Sequence, residues 1–419
     1  MWYTNLFQPI DNKVYSKIER NFKMKKLFLV VMTVVLANFG FMTSLHGAAL
    51  ETGAGFGKIS EQKPYQATVT AVASQLMQQY SIPGAAIAVI DGDRTYTYLF
   101  GSMDQANGRP VTENTIFEVG SITKLFTALL CAEAEDNGSI KLSDPLTEYC
   151  PEFSNNNLAT SQITLTHLLT HTAGFPLNLS EQITGKAQMA AYLSTWQPEK
   201  TIGGQWQYSN VGIGLAAMAL ENQEHNSINE LIKEKILLPL GMTPLGIEGV
   251  ETYRDHYAQG YSAEGKAVPH VRYDRDPFFS AYSLKATISD MSEFLAAAIG
   301  LPNTPENIKK AMHNTQTPRV GTGSMQQGLA WQVHSLHDEN IKHEPENLNL
   351  GPLPVYWLPK EQQIYKANVL LDKTGSTGGF RSYIAVIPEK KLGVVILLNK
   401  YISNGAVVTA GRTIIGIRE

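Results

Sequence analysis

The 419-residue chain has two cysteines, too few for a disulfide framework at this length. It has no basic stripe: the first 49 residues hold six Lys or Arg and two Asp or Glu, which leaves the remainder at about −8. An acidic body of that kind argues against nucleic acid as a partner. It has one long apolar run, Leu27–Met42, and at 16 residues that run falls short of the roughly 20 a membrane-spanning helix requires. There is no internal repeat. A hydrophobic content of 43% with 17% charged residues matches an ordinary globular enzyme, neither disordered nor collagen-like.

The apolar run follows Lys25-Lys26 and precedes Gly47-Ala48-Ala49, the layout of a secretory leader with a small-residue cleavage site. We therefore expect residues 1–49 to be an upstream extension plus leader, residues 50–419 to be one exported catalytic domain, and the periplasm to be its compartment. Residues 1–23 fit neither leader nor core, and Met24 is the expected start of translation. With the leader removed, no membrane partner is expected. Cys131 lies in an apolar run and reads first as a small core residue, with pairing to Cys150 as the alternative.

Hydrophobic periodicity predicts a helix over 64–80, then two strands, 85–90 and 95–100, around the turn Asp91-Gly92-Asp93. A second apolar helix is predicted over 121–137, with Gly138 at its C-terminal end. Residues 140–240 read as mostly helical, and 338–360 as an extended polar loop. Strands are predicted over 369–373, 381–387 and 393–398, and a helix over 404–416. The expected fold is α+β: an antiparallel sheet flanked by helices and built from both chain ends (50–119 and 241–419), with a mostly helical lobe (120–240) inserted between.

Three short patterns carry chemistry. Ser121-Ile122-Thr123-Lys124 opens the second helix, so Ser121 and Lys124 share a face. A serine needs a nearby base to become nucleophilic, and a desolvated lysine can release its proton near neutral pH. Free N–H groups at the start of the helix suit a developing oxyanion. Alone, the pattern is weak, and Ser121 could be a simple helix cap; Ser60-Glu61-Gln62-Lys63 is a second match, though Pro64 pushes Lys63 off helical geometry. Tyr208-Ser209-Asn210 offers a phenol that could relay protons and an amide that could hold a carbonyl. Lys373-Thr374-Gly375, ending a strand and running into Ser376, offers a cation and a hydroxyl for a carboxylate, with glycine admitting substrate to the backbone. Their conjunction supplies a nucleophile, two bases, an anion site and oxyanion donors.

His167 and His171 stand four apart on a predicted helix, but the glutamate of a zinc H-E-x-x-H motif is missing, which favours structural roles. His334, His337 and His343 read as solvated, and Trp196, Trp206 and Trp331 as core or cleft wall. No metal or cofactor is expected.

With Ile82-Pro83-Gly84, Phe117-Glu118-Val119-Gly120-Ser121, Lys141-Leu142-Ser143-Asp144-Pro145, Gln326-Gln327-Gly328-Leu329-Ala330-Trp331 and Thr377-Gly378-Gly379-Phe380 alongside the three patterns, the chain resembles the class C (AmpC-type) serine β-lactamases over nearly all of residues 65–419. The resemblance implies a β-lactamase/transpeptidase-like fold and a monomer that hydrolyses small-molecule β-lactams, cephalosporins favoured, through an acyl-enzyme, conferring antibiotic resistance. It implies that Ser121 is the nucleophile, with Lys124 and Tyr208 handling its proton and the order between them open. The N–H groups of Ser121 and Ser376 would form the oxyanion hole, Asn210 would contact the substrate amide side chain, and Lys373 and Thr374 would meet its carboxylate. Asn178 stands where a substrate-contacting glutamine is expected, in a loop one glycine short, and Asn404 matches a carboxylate-side asparagine. Thr123 replaces a serine, Tyr401 and Val407 replace an asparagine and an arginine, and Arg381 stands where glycine is common. A D-alanyl-D-alanine carboxypeptidase or esterase on the same scaffold, and a penicillin sensor or trap that never releases its acyl group, are the alternative readings.

Overall fold

The computed structural model describes residues 63–417 apart from 155–156, 249–250, 273–276, 324 and 343–349. The leader, Met24, the boundary at residue 50, Ser60 and His343 lie outside the described residues. Helix α1 (Gln66–Tyr80) leads into β1 (Gly84–Asp91) and β2 (Arg94–Asp104), joined at Gly92 with φ +66°. The nucleophile segment continues into α2 (Thr123–Asp136), and the following region carries several short helices and α3 (Asn210–Glu224). Helix α4 (Ile288–Ile299) precedes β3 (Gln332–Ser335), β4 (Val369–Ser376), β5 (Arg381–Ile387), β6 (Leu392–Leu398) and the terminal α5 (Asn404–Ile414).

Among the described residues these strands form a ten-stranded sheet in which β3, β4, β5, β6, β1 and β2 are consecutive neighbours, every pair antiparallel. The chain's two ends thus meet at β1 and β6, with Ala85 opposite Leu398 and Asp91 opposite Leu392. The central strands are apolar on both faces because both are covered. On β1, Ala86, Ala88 and Ile90 enter one core, with α2, α3 and α4, while Ala85, Ile87 and Val89 enter another, against α1 and α5. That is why these strands read as unbroken hydrophobic runs rather than alternating ones. No helix among the described residues is long and apolar enough to cross a membrane.

The structure amends several expectations. The second helix starts two residues late: Gly120–Ile122 is a tight 3-10 turn, and the α-helix begins at Thr123. Strand β4 does not end at Lys373 but runs through Ser376, because Ser376 still pairs with Arg381 on β5. The expected loop 338–360 contains two short strands, Leu353–Pro354 and Tyr356–Trp357, which pair with Gln205–Trp206 and with Val320–Gly321. Local polarity concealed strands whose partners are distant in sequence. Both cysteines are buried and free.

Candidate active site

Ser121 sits in a turn clamped from three sides. Gly120 holds φ +53°, and a Cβ there would lie 2.3 Å from the backbone nitrogen of Ser376. A Cβ on Gly375 would lie 2.0 Å from the Val119 carbonyl. Both glycines let the turn and strand β4 approach backbone to backbone, closer than any side chain allows. The Ser382 hydroxyl donates to the Val119 carbonyl at 2.7 Å and fixes that approach from β5. Thr123 donates to the Gly120 carbonyl at 2.6 Å and accepts from the Leu284 N–H at 3.0 Å, a task that a serine hydroxyl at this position could equally perform.

One helical turn on, Lys124 is fully buried, and its ammonium donates to Ser121 Oγ at 3.1 Å, Asn210 Oδ1 at 2.6 Å and the Ala281 carbonyl at 2.8 Å. Burial lowers its pKa to about 8, with Lys373 adding to the fall and Tyr208 opposing it.

Tyr208 arrives on a loop stitched to residues 171–177. Gln207 N–H donates to the His171 carbonyl, Ser209 N–H to His171 Nδ1, and Asn210 N–H to the Leu177 carbonyl. Ser209 caps α3 by accepting from Gly212 N–H, so Asn210 is the first helical residue rather than part of the loop. The buried phenol ring has two ammonium groups against it, Lys124 Nζ 4.8 Å and Lys373 Nζ 4.9 Å from its centroid. Burial alone would raise the phenol's pKa; the two lysines, aided by Ser121, outweigh it and bring the phenol down to about 7. A phenol and an amine that both titrate near neutrality, on either side of one hydroxyl, are what proton shuttling requires.

The structure brings nine of the ten expected site residues into one connected constellation. Lys373, also buried, reaches over Tyr208 from β4, where Thr374, Gly375 and Ser376 follow in register against β5. Asn210 turns its amide N–H toward Asn178, which accepts at 2.7 Å. Asn404 stands apart at the start of α5, linked to the strand edge through Arg381.

Of three histidines near the site, His171 and His167 take the structural roles expected of them, and His334 departs from its expectation. His171, with φ +60° and full burial, lies against the Tyr208 ring at 4.5 Å; burial and then the two lysines hold it far below its usual pKa, so it is neutral. His167 caps its own helix by bonding Thr164. His334, expected to be solvated, is instead paired with buried Asp372 at 3.1 Å, because β3 lies beside β4. The His171–Tyr208 and His334–Asp372 pairs carry no sequence signal, since each joins separate elements. Trp196, Trp206 and Trp331 are buried, as expected, with the Trp206 indole donating to Gln327.

Comparison with known proteins settles the lineage. The family model described as Beta-lactamase matches residues 69–417. The chain belongs to the beta-lactamase family. A beta-lactamase of Escherichia coli (strain K12) is 35% identical over 343 residues, spanning 80% of this chain and 89% of its own. A crystal structure of a class C beta-lactamase in complex with cefoxitin superposes with TM-score 0.78 at 31% identity, covering 84% of this chain and 98% of that one. A D-alanine carboxypeptidase AmpC from Burkholderia cenocepacia superposes with TM-score 0.76 at 30% identity, covering 84% of this chain and 98% of its own. Within the family, the kinship is with the class C serine enzymes.

Proposed function

We propose that this class C family member hydrolyses the β-lactam amide bond, cephalosporins foremost, in the periplasm after removal of residues 1–49, and so confers resistance to these antibiotics. The catalytic domain is then 50–419, with the helical lobe 120–240 inserted into an α/β lobe from 50–119 and 241–419. The observation that carries the reading is the Lys124–Ser121 hydrogen bond of 3.1 Å beside a phenol ring that has the ammonium groups of Lys124 and Lys373 at 4.8 and 4.9 Å. Every site residue comes from one chain, so a monomer suffices.

In this reading Ser121 Oγ attacks the lactam carbonyl and its proton passes to Lys124 or Tyr208. The N–H groups of Ser121 and Ser376 stabilise the oxyanion, held at that separation by Gly120 and Gly375. The C–N bond breaks, the lactam nitrogen takes up a proton relayed through Tyr208, and an ester remains on Ser121. Water, deprotonated at Tyr208, then attacks the ester, and Ser121 recovers its proton as the opened acid leaves. Asn210 and Asn178 receive the substrate's amide side chain; Lys373, Thr374 and, at the edge, Asn404 receive its carboxylate.

Steady-state turnover of a chromogenic cephalosporin by the purified protein tests this. Ser121→Ala should lower kcat/KM by at least about 10⁴-fold. A stoichiometric burst of acylation with no turnover would favour the trap instead. Release of D-alanine from a D-alanyl-D-alanine peptide without lactam turnover would favour the carboxypeptidase reading, to which the Burkholderia neighbour gives weight.

A further inference from the structure

Arg381 is only 2% exposed, yet all its contacts are neutral. Its guanidinium donates to Asn404 Oδ1 and to the Ile402 carbonyl and lies over the Tyr401 ring at 4.6 Å, while its Nε takes no hydrogen bond. No carboxylate among the described residues forms an ion pair with it. Its neighbour Arg412 has Asp372 at 2.8 Å, and even Arg319, bonded to carbonyls, feels Glu135. A buried cation without an anion is strongly disfavoured, because it gives up its hydration for no opposite charge. Among the described residues no anion offsets that at Arg381, and burial holds the guanidinium below its ordinary pKa, with Tyr401 opposing the fall.

Its position supplies the reason. Ser376 pairs with Arg381 and Thr374 with Tyr383, and directly paired residues share a sheet face. Thr374, Ser376 and Arg381 therefore lie on one face of the β4–β5 pair, the face against which α5 packs through Gly411 and Tyr383. Arginine has donors only, so Asn404 must present Oδ1 to it and turn its NH₂ away. That NH₂, on a half-buried residue, has no protein acceptor among the described residues.

We infer that Arg381 is a positioning residue for an anionic substrate: it locks the Asn404 amide with its NH₂ free and keeps a positive charge beside the Thr374–Ser376 edge, where a substrate carboxylate binds. The carboxylate completes the missing ion pair at one remove, across the asparagine, and the buried charge acts through a medium that screens it poorly. This rests on the hydrolytic reading above and adds to it the residue that selects for the acid over its neutral form.

Kinetics with a cephalosporin and with its carboxylate methyl ester test the assignment. Arg381→Met should raise KM for the free acid about tenfold, the worth of one charge-assisted contact, with kcat little changed and the ester unaffected. Arg381→Lys should recover part of the loss. Equal effects on acid and ester, or none on either, would overturn the proposal. Should Arg381→Met fail to fold, Asn404→Asp decides: it gives Arg381 an internal anion, so the melting temperature should rise while the preference for the acid disappears, and a retained preference would sink the idea. If the wild type turns over neither compound, the hydrolytic reading fails on its own account. Arylboronic acids with and without a carboxylate, titrated calorimetrically against wild type and Arg381→Met, then still judge Arg381: no carboxylate advantage in the wild type, or one that survives in Arg381→Met, refutes it, and an advantage present only in the wild type upholds it.

Discussion

Asp372 and Lys373 are adjacent on β4, both buried, and point to opposite faces of the same sheet. Behind the sheet, Asp372 accepts from Tyr383 at 2.8 Å, Arg412 at 2.8 Å and His334 at 3.1 Å, a carboxylate with every need met. In front, Lys373 and Lys124 crowd one phenol, and among the described residues neither forms an ion pair with a carboxylate. Both faces shift pKa values, in different ways. The rear network drives Asp372 far below the carboxylate range: burial opposes its charge, but His334 and Arg412 outweigh that. The front cluster brings Lys124 to about 8 and Tyr208 to about 7, both into the working range. A satisfied network locks a protonation state, whereas an unsatisfied one leaves protons to move. The pKa shift alone does not distinguish structure from catalysis; the presence or absence of counter-charges does.

The sharpest way to break the contrast is at the front. Tyr208→Phe keeps the ring and removes the titrating oxygen, and kcat/KM for a cephalosporin should fall by about 10²–10⁴-fold. The pH profile carries the sign. A phenol brought down to about 7 loses its proton as pH rises through that value, so wild-type kcat/KM should climb there, Tyr208 and Lys124 titrating as a coupled pair. In Tyr208→Phe that limb should vanish. A limb that persists would make Lys124 the base.

The rear network should respond in stability instead. Asp372→Asn leaves buried Arg412 and half-buried His334 without their anion and should cost about 3–5 kcal/mol, measured by denaturant unfolding at neutral pH. Because the folded pKa lies below the unfolded value of about 3.9, the carboxylate's contribution is complete above that pH and fades as pH falls below it. The wild type should therefore lose stability toward pH 2 more steeply than Asp372→Asn. Folded Asp372→Asn should keep kcat within about threefold, as expected for sites that share no partner. A large loss of turnover would show that the two faces of β4 are not independent.

How much of this was legible in sequence follows from the range of each contact. Ser121 and Lys124 are three apart, so their spacing announced the meeting. The central strands were long apolar runs and could be placed to within a few residues. The pairing of β1 with β6 joins residues some three hundred apart; the pattern of elements put both chain ends in one sheet, but nothing in it made these two strands neighbours. His334 with Asp372, His171 under Tyr208 and the Ala281 carbonyl on Lys124 have no periodic signature. The two short strands within 338–360 were hidden for the same reason, since each takes its partner from another part of the chain. Arg381 was visible as a departure from the family pattern, but its meaning depended on finding no anion around it.

The smallest effect should come from the rim of the front cluster, and it tests how far the unsatisfied region extends. Asn210 resembles Asn404 in having a cation behind it: the Lys124 ammonium can only donate, so Asn210 presents Oδ1 inward and NH₂ outward, toward Asn178. Asn178 is exposed, and its bond to Asn210 is a solvent-facing one, worth about 0.5–1.5 kcal/mol at most. Asn178→Ala should therefore raise KM by no more than about tenfold for substrates with an amide side chain, and leave kcat and the limb near 7 in place, because Lys124 alone still orients Asn210. Steady-state kinetics on a pair of cephalosporins with and without the side-chain amide would measure it. A loss on the scale of Tyr208→Phe would mean that the amide's orientation is set from the solvent side, and that Lys124 spends its hydrogen bond on Asn210 without directing it.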